Sequence, residues 1–242
     1  MSGFRCKEFF VSHDRCAMKV GTDSLVLGAW VTLPQVGSAL DIGAGSGILS
    51  LMLAQRMQKS GLNPEIYAVE LDQDAALQAQ DNVAASRWAA QIQVIQADIL
   101  TYAATDNQPE HGFELIISNP PYFQQSLAAS DPKRHQARHT DSLSFIDLAF
   151  VAKKLATADA HFCLVLPADT DFISVAEQAG WTLQRCCLVK TAAHKAAKLQ
   201  LLEFSARAVT SQTEQRELLI QQSPGQYSDD YRKLLADFYL RF

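Results

Sequence analysis

Residues 41 to 47 read Asp41-Ile42-Gly43-Ala44-Gly45-Ser46-Gly47. Ser38-Ala39-Leu40 leads into Asp41-Ile42 as a short buried strand. After Gly47, the apolar residues Ile48, Leu49, Leu51, Met52, Leu53 and Met57 recur at helical spacing. The chain therefore passes from strand to sharp turn to helix within a few residues. Glycines at 43, 45 and 47 let a ligand approach bare backbone and allow positive φ, and the first N–H groups of the new helix face whatever lies above the turn. This points to a nucleotide-type site. The spacing is G-x-G-x-G with an acid two residues ahead, whereas the dinucleotide fingerprint is G-x-G-x-x-G.

Three further runs repeat the arrangement. Ile66-Tyr67-Ala68-Val69-Glu70 is a buried strand ending in an acid, at the separation where a βαβ unit sets a carboxylate on ribose hydroxyls. Ile92-Gln93-Val94-Ile95-Gln96-Ala97-Asp98 also ends in an acid, and Phe113-Glu114-Leu115-Ile116-Ile117-Ser118 runs into Asn119-Pro120-Pro121-Tyr122. Four strands each deliver a polar group at their carboxyl ends, the edge at which open α/β sheets bind ligands.

Asp41 to Gly47, Glu70, Asp98 and Asn119-Pro120-Pro121-Tyr122 resemble, in order and spacing, the class I S-adenosylmethionine-dependent methyltransferases that modify an amino group held in a planar system. Cys16-Ala17-Met18-Lys19-Val20-Gly21-Thr22-Asp23-Ser24-Leu25-Val26-Leu27-Gly28-Ala29-Trp30 is more narrowly similar to the bacterial tRNA1(Val) adenine-N6 methyltransferases. The resemblance implies a Rossmann-like α/β fold: a mostly parallel seven-stranded sheet with helices on both faces and a C-terminal antiparallel hairpin. It also implies S-adenosyl-L-methionine as cofactor and tRNA as partner. Gly43, Gly45 and Gly47 would meet the homocysteine portion, Glu70 the ribose, Asp98 the adenine amino group, and Asp41 would support either the turn or the cofactor amine. Asp23 would either lie near the methionine end or simply cap its helix. Asn119 through its side-chain carbonyl and Pro120 through its backbone carbonyl would accept the two hydrogens of an adenine amine, and Tyr122 would offer a face for the unstacked base.

The remaining chain is consistent with one domain over 1–242, in which 1–37 form an arm and a helix packing near the cofactor. With 242 residues, 48% of them hydrophobic, it can bury a full core unaided. Helices are expected at about 22–30, 48–60, 74–86, 142–155 and 171–180, and a closing helix with docked aromatics after Tyr227. Strands at 161–167, 181–189 and 199–206 complete the sheet, the last two as the hairpin.

Cysteines at 6, 16, 163, 186 and 187 form no C-x-x-C pair, so metal binding is not expected and a reducing cytoplasmic setting is. The amino terminus lacks an apolar signal core, and no run reaches the roughly eighteen apolar residues of a membrane span. The net charge of −5 excludes a broad basic coat. RNA contact then falls to local clusters: Lys133, Arg134 and Arg138 behind the Asn119 motif, and Lys190, Lys195 and Lys198 at the hairpin. Each cluster reads either as a binding element or as a solvated, charge-protected loop. Asn-Pro-Pro-Tyr also serves glutamine methylation in proteins, which stands as the alternative; enzymes of that kind usually carry a long helical domain before the glycine turn, and here forty residues precede Asp41. No inserted target-recognition domain suggests DNA, and a degenerate binding module would not keep all four strand-end motifs.

Overall fold

The computed structural model describes residues 2–34, 38–121, 143–208 and 212–242. Tyr122, Lys133, Arg134 and Arg138 lie outside the described residues.

Strands β1 (Gly3–Arg5) and β2 (Phe10–Ser12) pair antiparallel as a small arm. Helix α1 (Thr22–Trp30) follows, then β3 (Ser38–Ile42), α2 (Ile48–Lys59), β4 (Glu65–Glu70), α3 (Gln73–Ala84), β5 (Ile92–Gln96), the short α4 (Ile99–Tyr102) and β6 (Phe113–Ser118). After the Asn119 motif come α5 (Phe145–Leu155), β7 (Ala156–Pro167), α6 (Ile173–Gln178), β8 (Thr182–Ala192), β9 (Ala197–Ser205), β10 (Glu214–Ser223), β11 (Gln226–Tyr227) and α7 (Asp229–Leu235).

The main sheet has the order β11-β10-β8-β9-β7-β6-β3-β4-β5. Strands β3 to β7 run parallel, while β9 lies antiparallel between β7 and β8. These are the seven strands the sequence marks, with the hairpin where it was expected. The sheet then continues into β10, parallel to β8, and β11. Neither was legible: Glu-Gln-Arg-Glu at 214–217 is charged and rich in helix formers, and Leu218 is the one buried residue of β10. An outer strand packed on few neighbours leaves little apolar pattern.

Alternation fills both faces of the sheet. Leu115 and Ile117 of β6, with Cys163 and Val165 of β7, join the core under α1, α2 and α7. Ile116, Phe162, Leu164 and Leu166 join the opposite core under α5 and α6. A parallel sheet covered on both sides buries its central strands entirely. Helix α1 lies close on α2 because Gly28 carries no side chain; a Cβ there would stand 2.8 Å from the Met52 sulfur. The closing aromatics dock as expected: Tyr227 stacks on Tyr231, and Tyr239 stacks on Phe242. All five cysteines are free, and Cys187 packs into one core while Cys186 lies against the other.

Register brings the chemistry to one edge. Strands β3, β4, β5 and β6 end together, with Ile42 paired to Val69 and Ser118, and Glu70 to Gln96. Because β9 is antiparallel to β7, with Leu199 opposite Pro167, the β8–β9 tip lies at that same edge.

Candidate functional site

The glycine turn is held in a conformation other residues avoid. Gly43, Gly45 and Gly47 have φ of 72°, 54° and 77°. A Cβ at Gly43 or Gly45 would meet nothing within 4 Å, so bare backbone opens onto free space on the ligand side. At Gly47 a Cβ would stand 3.4 Å from that of Ala79, which lets the start of α2 rest on α3. The turn is tied to the neighbouring strand, because the N–H groups of Gly43 and Ala44 both donate to the Val69 carbonyl, at 2.9 and 3.2 Å.

Asp41, fully buried, supports the turn from beneath. Its Oδ2 accepts the Ser50 hydroxyl at 2.7 Å and the Ser50 N–H at 3.2 Å, satisfying one of the free donors in the first turn of α2. Burial pushes its carboxyl up to about 7 against the Ser50 hydrogen bonds that pull it down. Its Oδ1 is buried with no hydrogen-bond partner. Glu70 stands at the end of β4 and bridges two elements: one oxygen accepts the Gly45 N–H at 2.7 Å, the other the Asp72 N–H at 2.9 Å. A carboxylate has lone pairs beyond these two bonds, so the same group can accept sugar hydroxyls.

The expected third strand stops at Gln96, two residues before its acid. Asp98 instead caps α4, accepting the Leu100 N–H at 2.7 Å, and its side chain stays at the surface. Beside the two acids stand Leu71 and Leu100, 52% and 44% exposed. Two large apolar side chains left in solvent at a ligand edge fit the faces of a flat base. Sequence reading passed over both, although each sits within two residues of a strand-end acid.

At the end of β6 the Ser118 hydroxyl donates to the Ile42 carbonyl at 2.9 Å, fixing the strand against β3. Asn119 and Pro120 follow half-buried. The Asn119 Nδ2 donates to the Ser24 hydroxyl in the first turn of α1 at 2.9 Å. In the same turn Asp23 accepts the Ser24 N–H at 2.8 Å, while the capping position belongs to Gly21. A Cβ on Gly21 would come within 2.5 Å of the Asp23 carboxylate, which would have to turn aside to admit it. The amino-terminal segment reaches Glu70 as well: burial, then the charges of Glu70 and Asp72, push the Cys16 thiol up to about 11.

The fold thus brings together Asp23, Asp41, Gly43, Gly45, Gly47, Glu70, Asp98, Asn119 and Pro120. The hairpin cluster is divided. Lys190 pairs with Glu217 of β10 at 2.6 Å, whereas Lys195 and Lys198 are exposed at the ligand edge. Among the described residues no group of three or more His, Cys, Asp or Glu side chains could hold a metal ion, and no helix is long and apolar enough to cross a membrane.

The model of the family described as methyltransferase small domain matches residues 16–136. A Serratia proteamaculans protein named tRNA1(Val) (adenine(37)-N6)-methyltransferase is 45% identical over 241 residues, covering 98% of this chain and 90% of its own. A protein of the same name from Photorhabdus laumondii is 43% identical over 242 residues, covering 99% and 96%. Among solved structures, a predicted O-methyltransferase from Agrobacterium tumefaciens superposes with a TM-score of 0.66 at 18% identity, over 89% of this chain and 96% of that one. A T. thermophilus 16S rRNA N2 methyltransferase in complex with AdoMet and guanosine gives a TM-score of 0.57 at 22% identity, over 85% of this chain and 50% of that one. These two likenesses concern the fold.

Proposed function

The chain belongs to the methyltransferase small domain family, among the tRNA1(Val) (adenine(37)-N6)-methyltransferases, and from that premise we propose that it methylates the N6 amino group of adenine 37 in tRNA1(Val) with S-adenosyl-L-methionine. The observation that carries this reading is the meeting of an open glycine turn, the acids Glu70 and Asp98 that follow neighbouring strands, and Asn119-Pro120 on one sheet edge.

The cradle fits the cofactor. Open space lies over Gly43 and Gly45, and the acids of Glu70 and Asp98 face the same edge with acceptor capacity left. When bound, S-adenosylmethionine supplies a methyl group already activated on a sulfonium. The protein's task is alignment. The glycine turn receives the homocysteine portion, Glu70 takes the ribose hydroxyls, and Asp98 takes the adenine amino group between the apolar walls of Leu71 and Leu100. Asp41 holds the turn through Ser50, and Asp23 lies toward the methionine end.

The harder problem is the nucleophile, because the adenine amine delocalises its lone pair into the ring. The Asn119 side-chain carbonyl and the Pro120 backbone carbonyl accept its two N–H groups, draw the nitrogen toward a tetrahedral shape, and stabilise the positive charge that develops there. The paired prolines hold the turn stiff, and Tyr122 supplies the stacking face. The nitrogen is strongly acidic once methylated and releases its proton to solvent without a dedicated base. Lys195 and Lys198 extend the edge toward phosphates, with Lys190 behind them moderated by Glu217; Lys133, Arg134 and Arg138 are the other candidates for phosphate contact. A tRNA substrate sets the reaction in the cytoplasm of a single-domain enzyme.

The experiment is methyl transfer from labelled cofactor to total tRNA, total protein and duplex DNA, with mass spectrometry of the digests. N6-methyladenosine in tRNA is the expected product. Label in protein glutamine would keep the Asn119 chemistry and overturn the substrate.

A further inference from the structure

Asn119 can polarise an amine only if its carbonyl, and not its NH2, faces the substrate. The two ends of an amide have nearly the same size, so packing alone discriminates poorly between them, and a half-turn of the group would present a donor to a donor. The side chain has to be held in place. The Asn119 Nδ2 donates to the Ser24 hydroxyl at 2.9 Å, which sets the NH2 end against α1 and turns Oδ1 away from that helix.

Ser24 is a fixed post. It is 7% exposed, so water competes little for its hydroxyl, and its own N–H is held by Asp23 at 2.8 Å. Helix α1 is clamped further along by three groups. Arg56 donates to the Gly28 carbonyl at 2.9 Å. Arg185 donates to the Trp30 carbonyl at 3.2 Å, with its guanidinium 4.2 Å above the Trp30 ring. Thr32 donates to the buried Glu203 at 3.0 Å. A shift of α1 is therefore resisted along its length, and the position of the Ser24 oxygen is set by the body of the protein.

We propose that Ser24 is a positioning residue for methyl transfer: by accepting the Asn119 Nδ2–H it anchors the side chain in the arrangement that offers Oδ1 to the substrate amine. This rests on the reading of Asn119 as the group that polarises the adenine amine. The cost of losing it falls on turnover and not on binding, because a misoriented amide leaves the cofactor cradle intact.

The test measures kcat and KM on a tRNA1(Val) transcript, and cofactor affinity by calorimetry, for wild type, Ser24→Ala, Ser24→Thr, Asn119→Ala and the Ser24→Ala/Asn119→Ala pair. Misplacing a reacting group costs about ten- to a hundredfold in rate. The expected result is a loss of about tenfold in kcat for Ser24→Ala, with KM and cofactor affinity within about twofold of wild type. Threonine keeps the hydroxyl and should restore most of the rate. In the Asn119→Ala background, Ser24→Ala should cost less than about twofold, because the residue it acts through is gone. Full activity in Ser24→Ala, an equal loss in both backgrounds, or a threonine variant as slow as alanine would overturn the proposal. A wild-type enzyme that forms no N6-methyladenosine would instead show that the reading beneath it fails.

Discussion

Replacing Glu70 by alanine removes the acceptor for the Gly45 and Asp72 N–H groups together with the proposed anchor for the ribose. Cofactor affinity should fall by about tenfold or more while circular dichroism stays native, because charged hydrogen bonds contribute about 1.5–3 kcal/mol each. Unchanged affinity by calorimetry would remove Glu70 from the site. Asn119→Ala should do the reverse: affinity retained, single-turnover rate down about a hundredfold, or about 2.7 kcal/mol of transition-state stabilisation. A near-normal rate would overturn the mechanism. Asp41, Glu70, Asp98 and Asn119 are legible because each lies within two residues of the carboxyl end of a strand, and the strand's direction fixes the edge to which it is delivered. Ser24 carries no such mark. It meets Asn119 across 95 positions of chain, and only the completed packing of α1 on the sheet creates the contact.

At the scale of elements, two buried acids have opposite consequences. Burial raises Asp41 to about 7 from an ordinary 3.8, so between those values the folded protein holds a proton the unfolded chain has lost. Its stabilising effect is complete below about pH 4 and disappears as pH rises through about 7. The stability of wild type relative to Asp41→Asn should therefore decline from pH 4 to 8 in thermal melts; parallel curves would contradict the assignment. Burial also pushes Glu203 upward, but hydrogen bonds from His161, Arg185 and Thr32 and the Arg185 charge overcome it and hold the group below the usual carboxylate range. That network ties β7, β8 and β9 to the end of α1. Arg185→Ala leaves Glu203 buried beside a weaker set of partners, and urea unfolding should register a loss of about 3 kcal/mol. A loss below about 0.5 kcal/mol would mean that water enters and solvates the acid. The helices and central strands announce themselves by period, whereas β10 adds to the edge of β8 and β11 to that of β10, pairings that no local pattern encodes.

Over the whole molecule the net charge is −5, so attraction to RNA has to be local. The antiparallel placement of β9 carries the β8–β9 tip, with exposed Lys195 and Lys198, to the edge of the glycine turn. Their positions depend on strand order, which is why the sequence could equally be read as edge protection. Replacing both by alanine should weaken tRNA binding, lower the slope of log affinity against log salt by about two, and leave cofactor binding intact. An unchanged slope would place the phosphate contacts elsewhere.

The most direct measurement compares methyl transfer to a tRNA1(Val) transcript carrying adenosine at position 37 with transfer to the same transcript carrying inosine there, mapping the product by mass spectrometry of oligonucleotide fragments. The account predicts one methyl on N6 of the adenosine and none on the inosine transcript, whose base offers no exocyclic amine to Asn119 and Pro120. Equal methylation of both would place the reaction on another atom and contradict the proposed role of that pair.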